Sequence, residues 1–251
     1  MYYRLLKLTL AFFTLMPEGF AKTQKLTIAA TEWAPLTSSD MERNGLLADI
    51  TSEALKRVGY ETEFVILPWK RALEMTRKGR YDALLGASYV EERTLDFIYP
   101  QYAWRTYSYF HALKGSRTGP FKGLKSLCPA TVGILIGSFH RRPLLESGCL
   151  KVYENSSIQQ SMQMLMRGRI DLYLAVPEVL HYYLSTEFPG AEDDIITLRP
   201  AYIEDKAYLV FPKSLPQSAE LARDYERGIE LIKAEGAYAE VIKRHPLAIR
   251  P

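Results

Sequence analysis

The chain has 251 residues, 47% of them apolar, and carries 32 Lys and Arg against 29 Asp and Glu, a formal net charge of +3. That length suits one large domain or two modest ones, and the apolar share is enough for packed cores, which excludes a disordered or fibrous chain. A balance so close to neutral, with no long Lys/Arg run, argues against nucleic acid as a partner.

The first residues read MYYRLLKLTLAFFTLMPEGFAKTQ. Arg4 and Lys7 precede an apolar stretch from Leu8 to Met16, and Gly-Phe-Ala stands before Lys22. This is the plan of a cleavable secretory signal over residues 1–21, cut after Ala21. The apolar stretch is shorter than the roughly 20 residues that span a bilayer. A buried helix is the alternative, but Pro17-Glu18-Gly19 would end it at once. With no lipidation cysteine at the cut, a soluble periplasmic protein is expected. In that oxidising compartment the two cysteines, Cys128 and Cys149, are expected to pair; two free buried thiols are the alternative.

The strand signal KLTIAATE (25–32) runs into Trp33-Ala34-Pro35. In GLLADITSEALKRVGY (45–60), Leu46, Ile50, Ala54 and Val58 share one helix face, and Gly59 stops it. ETEFVIL (61–67) is a strand. PWKRALEMTRKG (68–79) is a helix opened by Pro68 and closed by Gly79. YDALLGAS (81–88) is a strand again. The order β-α-β-α-β predicts a mostly parallel sheet covered by helices.

The plan then repeats. ATVGILIGS (130–138), LKVYEN (150–155) and IDLYLAV (170–176) are strands. Between them lie a short helix in FHRRPLLES and a second, SSIQQSMQMLMRG (156–168), with a Ser N-cap and a Gly stop. PEVLHYYLSTEF (177–188) is a helix begun by Pro177. The fragments RKGRYDALLGA and MRGRIDLYLAV therefore mark two α/β lobes on one plan. In each, a left-handed Gly (79, 168) ends a helix, and an Asp (82, 171) enters the strand in a structural role, capping or pairing locally. TYSYFHALKG (106–115) and KAYLVFPK (206–213) are strands that leave the two units and form a hinge. The last helices are 218–236 and 237–245. Two lobes on a two-strand hinge leave a cleft, where ligands of open α/β sheets bind.

These stretches, with EWAP, GRYDALLGASYVEERTLDFIYPQY, LKSLCPATVGILIGS and GIELIKAEGAYAEVIKRH, resemble the periplasmic solute-binding proteins of the polar amino acid type, extracellular family 3. The resemblance covers nearly all of the mature chain. It implies an α/β, two-lobed type II periplasmic-binding-protein fold, each lobe a mostly parallel sheet with flanking helices. Lobe 1 would take residues 22–108 and 209–251, and lobe 2 residues 109–208.

The resemblance also implies ligand-binding residues. Trp33 and Trp69 would flank the ligand; Gly86, Ala87 and Ser88 would hold a carboxylate; Arg93 would fork onto it; Gly137, Ser138 and Phe139 would face it from lobe 2. The chemistry agrees: a planar guanidinium binds a carboxylate through two parallel bonds, and amides before a helix suit an anion. Each Trp is alternatively a core residue, and Arg93 alternatively pairs with Glu91 or Glu92. Arg71 is read as a solvated helix residue, with the cleft as the alternative. Two features depart from the family pattern. The interval from Arg93 to Phe97 is short, and the acid that meets a ligand's amine falls at Val176, with Glu178 two positions on as a substitute.

No HExxH, nucleophile elbow, P-loop or CxxC occurs, so no catalytic residue, metal or cofactor is expected. The resemblance implies a monomeric receptor that hands a small polar solute, an amino acid or related carboxylate, to the membrane subunits of an ABC transporter. A sensory module acting on a membrane partner is the second possibility. A cyclohexadienyl-dehydratase-like enzyme, with Glu178, Glu32 or His140 as the acid, is the third.

Overall fold

The computed structural model describes residues 24–116 and 119–246; the expected signal, residues 1–21, lies outside them. In the first unit β1 (Gln24–Ala30), α1 (Leu46–Arg57), β2 (Tyr60–Ile66), α2 (Trp69–Arg77) and β3 (Ala83–Ala87) follow one another, then the two-residue β4 (Phe97–Ile98). The strand β5 (Trp104–Leu113) leads away to β6 (Ala130–Leu135), α3 (Arg141–Glu146), β7 (Leu150–Asn155), α4 (Ile158–Met166), β8 (Leu172–Ala175) and α5 (Pro177–Glu187). The long β9 (Ile195–Pro212) returns, and α6 (Ser218–Ala234) and α7 (Ala237–Arg244) close the described chain.

The strands hydrogen-bond in the order β2-β1-β3-β9-β5-β8-β6-β7. Read from the two ends, the halves are equivalent. In each, the first strand of the unit sits between the second and the third, all parallel, and the third meets a hinge strand antiparallel. That is the geometry helix-linked strands adopt, since parallel neighbours need a covered crossover. Three apolar clusters fill the spaces between sheet and helices. Helix α6 packs closely on α1, where a Cβ at Gly228 would lie 2.2 Å from the Ala54 carbonyl oxygen.

The two Gly-Arg-x-Asp fragments do the same work twice. Gly79 (φ 71) and Gly168 (φ 63) take the left-handed conformation that ends α2 and α4. The Arg80 and Arg169 amides donate back to Met75 and Met164 at 3.0 and 2.8 Å, closing the helix ends in a Schellman-like turn. The Asp side chains reach farther than a local cap. Asp82 Oδ2 accepts from the Thr27 amide at 2.8 Å, and the Asp82 amide donates to the Thr27 carbonyl at 2.9 Å. Asp171 repeats both bonds with Thr131, at 2.7 and 3.0 Å. Each carboxylate thus ties the third strand of its unit to the first.

The second hinge strand is much longer than the expected 206–213. Its early part pairs with the end of β5, Ile195–Leu198 against Leu113–Phe110, and its later part, Ile203–Ala207, pairs with Ser108–Trp104. The register shifts between the two, where Arg199 and Pro200 stand; Pro200 breaks the alternating pattern that would have marked the first half from sequence. The Cα atoms of Cys128 and Cys149 lie 5.6 Å apart, within disulfide reach.

Candidate functional site

The strand ends of both units and the inner face of the hinge enclose a cavity of about 130 Å³. Of the residues expected there, Trp33, Trp69, Gly86, Ser88, Arg93, Ser138 and Phe139 line it. Trp33 is placed by a tight turn after β1: its amide donates to the Thr37 carbonyl at 2.8 Å, and Leu36 donates back to Trp33 at 2.9 Å. The indole covers Gly86, which has φ 84 and sits where the pairing of β3 with β9 shifts register. Only glycine takes that conformation without strain.

Arg93 stands on a short 3-10 turn, Glu91–Leu95, and is only 8% exposed. Its guanidinium lies 5.4 Å from the Trp69 ring centre, and its Nη1 donates to the Ser88 carbonyl at 3.4 Å. Tyr99 Oη donates to the same carbonyl at 3.1 Å. Neither neighbouring acid takes Arg93 as an ion pair: Glu92 reaches across the cleft to Arg142 at 3.2 Å instead. Among the described residues no carboxylate comes within 4 Å of the Arg93 guanidinium. Burial lowers its pKa from the ordinary value, yet a guanidinium stays charged.

Three of the expected residues are placed differently. Ala87 is buried in the core behind the site. Gly137 touches Trp69 rather than the cavity: Trp69 Nε1 donates to its carbonyl across the cleft at 3.3 Å, and a Cβ on Gly137 would sit 3.4 Å from the indole. The amides expected to cradle an anion are occupied within the chain. Gly137 N–H donates to Glu154 at 3.4 Å, and Ser138 N–H to the Leu135 carbonyl at 3.0 Å. Glu178, in the first turn of α5, does not reach the cavity. Burial raises its carboxyl pKa, and its Oε2 has no hydrogen-bond partner among the described residues.

Sequence reasoning missed Thr106, Ser108 and Asp205, which the hinge strands turn inward, and Thr31 and Tyr173. Thr106 and Asp205 are paired in register, so their side chains share one face of the ladder. Alternation along a strand was the available signal, but it says only which residues share a face, not what that face meets. Val176 lines the cavity with an apolar side chain. His140 also lines it; its ring lies 3.9 Å from that of Phe139, and burial pushes its pKa down to about 4, so the imidazole is neutral at pH 7.

Beyond Trp69 a second groove of about 650 Å³ takes Arg71, Lys70, Glu32 and Glu74 on its walls, and shares Thr31, Trp69, Leu135 and Ile158 with the first. Among the described residues no group of three or more His, Cys, Asp or Glu is placed to hold a metal ion, and no helix is long and apolar enough to cross a membrane.

The sequence profile of the bacterial extracellular solute-binding proteins, family 3, matches residues 26–247. No curated protein matches in sequence. In structure the chain is similar to a mutant of ArgBP from T. maritima, with a TM-score of 0.75 at 16% identity, covering 88% of this chain and 94% of that one. It is similar to an ancestral arginine-binding protein bound to arginine (TM-score 0.75, 19% identity, 88% and 97% covered). A histidine kinase sensor domain with similarity to periplasmic binding proteins aligns equally well (TM-score 0.76, 16% identity, 89% and 96% covered). At these identities the likeness establishes the type II periplasmic-binding-protein fold.

Proposed function

Since the chain belongs to the bacterial extracellular solute-binding proteins of family 3, we propose that it is a periplasmic receptor for a small amino acid or related carboxylate, delivering it to an ABC importer. Residues 1–21 are its export signal, and residues 109–208 form the lobe that closes on the rest. The observation that carries the reading is Arg93: a buried cation on a cavity wall with no acid in contact among the described residues. A buried charge left alone is costly, and a ligand carboxylate supplies the missing partner through the planar fork. Trp33, Trp69 and Phe139 give the rest of the ligand an apolar enclosure.

Closure follows from the same contacts. The Trp69–Gly137 hydrogen bond and the Arg142–Glu92 pair cross the cleft. Both groups of the ion pair are mostly exposed, so it adds little. The ligand itself is what biases the lobes toward the closed state.

The test is a thermal-shift screen of the refolded chain against the common L-amino acids, their deaminated analogues, small dicarboxylates, polyamines and prephenate. A ligand present at 100 times its Kd stabilises by about 2.7 kcal/mol, a shift of roughly 5–10 °C at this size. Arg93→Ala is expected to abolish the shift; equal affinity in the variant would remove Arg93 from the site. Turnover of prephenate would make the protein an enzyme instead. A sensory role is the second reading, favoured by the similarity to the histidine kinase sensor domain. Loss of uptake of the identified solute on deletion supports delivery, and intact uptake supports sensing.

A further inference from the structure

Among the described residues, the cavity that holds the unpaired cation also holds an acid with no base in contact. Asp205 lies on β9, where residues alternate between the two faces of the hinge ladder. Its neighbours Glu204 and Lys206 point away: Glu204 pairs with Arg105 at 2.9 Å, and Lys206 Nζ sits 5.0 Å from the Tyr102 ring centre. Asp205 alone of the three lines the cavity, next to Ser88, Thr106 and Ser108.

The donors that reach Asp205 are few. Oδ1 accepts from the Lys206 amide at 2.7 Å, and the Ser88 side chain is near enough to favour the ionised form. An ionised carboxylate has about four acceptor positions, so part of that capacity faces the empty space. Among the described residues no Lys, Arg or His comes within 4 Å of it. Burial raises its pKa from the ordinary value; the Ser88 side chain, the Lys206 amide and, least, the Arg93 charge offset this only in part. Arg93 and Asp205 therefore act on one another through the cavity without touching. A molecule that enters meets a fixed positive and a fixed negative charge on separate walls.

We propose that Asp205 is the counter-charge for a ligand ammonium, so that Arg93 and Asp205 together select a zwitterion, an α-amino acid, over the same acid without its amine. This rests on the amino acid reading above and narrows it. An amine-free carboxylate bound at Arg93 leaves Asp205 buried and anionic beside a second anion. A zwitterion neutralises both groups.

The experiment is isothermal titration of the refolded chain and of Asp205→Asn with the twenty L-amino acids, each paired with its 2-oxo or deaminated counterpart. The wild type is expected to bind at least one L-amino acid and to bind its amine-free partner more weakly. A hydrogen bond to a charged group is worth a factor of about 10 to 150 in affinity. Asp205→Asn is expected to lose that factor for the amino acid and to hold or gain affinity for the amine-free acid. Glu204→Gln, on the outer face, is the control and leaves both unchanged. If Asp205→Asn binds the amino acid as tightly as the wild type, the inference fails while the receptor reading stands. If the wild type prefers the amine-free acid, the inference also fails, and this arm needs no variant should Asp205→Asn not fold. If the wild type binds nothing on the panel, the receptor reading fails and takes this inference with it.

Discussion

Acidification should remove stability through His111, a residue of the hinge that does not line the cavity. Its side chain is fully buried on β5, between β8 and β9. Nε2 donates to the Ala175 carbonyl at 3.2 Å, which leaves Nδ1 to accept from the Thr197 hydroxyl at 3.0 Å. Both nitrogens of the neutral ring are thus satisfied. A proton would place a charge in the core, and burial pushes the pKa down from 6.5 to about 4, the Ala175 carbonyl opposing only in part. The unfolded chain keeps the ordinary value near 6.5. Because the folded value is the lower one, the unfolded state binds more protons in the interval, so stability is complete above about pH 6.5 and falls as pH drops toward 4. Relative to pH 8, the loss is about 2 kcal/mol at pH 5 and approaches about 3 kcal/mol below pH 4. Urea unfolding of the wild type and His111→Gln from pH 8 to pH 4.5 measures it. The wild type should lose about 2 kcal/mol more than the variant between pH 8 and pH 5. The effect of His140, also held near 4, is present in both proteins and cancels. Parallel curves, or an imidazole resonance of His111 titrating near 6.5 in the folded protein, would refute the reasoning.

Two other perturbations have signs set by packing and chain connectivity. Gly228→Ala drives a Cβ to 2.2 Å from a backbone oxygen of α1, whereas Gly133→Ala meets side-chain atoms, the terminal methyl of Ile170 at 2.5 Å and Asn155 Nδ2 at 3.4 Å. A rigid clash typically costs about 1–3 kcal/mol and a rotatable one less, so the urea midpoint should fall clearly for Gly228→Ala and little for Gly133→Ala; equal shifts would mean the helices can separate. If Cys128 and Cys149, separated by 21 residues, are bridged, reduction should cost about 3 kcal/mol, a drop in Tm of roughly 6–12 °C; two titratable thiols in the native protein would show there is no bridge.

What the sequence made legible was whatever a local signal carries. Gly79 and Gly168 mark helix ends because a left-handed residue is needed there, and the repeat of helix and strand was enough to foresee two units on a hinge. The acids were harder. The partners of Asp82 and Asp171 lie in strands 55 and 40 residues away, beyond any local rule. Asp205 sits in Ile-Glu-Asp-Lys, which has the look of a solvated turn until β5 is laid beside it. Trp69 was visible as a cleft candidate, but that it spends its N–H on Gly137 depends on how the two units meet.

The two aspartate ties matter beyond the local bonds. Parallel pairing of β3 with β1 involves only Ile28↔Ala83 and Ala29↔Leu84, and that of β8 with β6 only Val132↔Leu172 and Gly133↔Tyr173. All four residues of β8 are buried, as are four of the five in β3. An alternating pattern normally makes a one-residue slip costly by turning apolar side chains outward; here no alternation exists to resist it. Asp82 and Asp171 act as index pins, each accepting one backbone amide of the neighbouring strand. A slip would carry Gly86 and Ser88 on one side, and Tyr173 and Val176 on the other, one position along and onto the opposite face. Two carboxylates at the far ends of these strands thus set the alignment of the walls that face each other across the cleft.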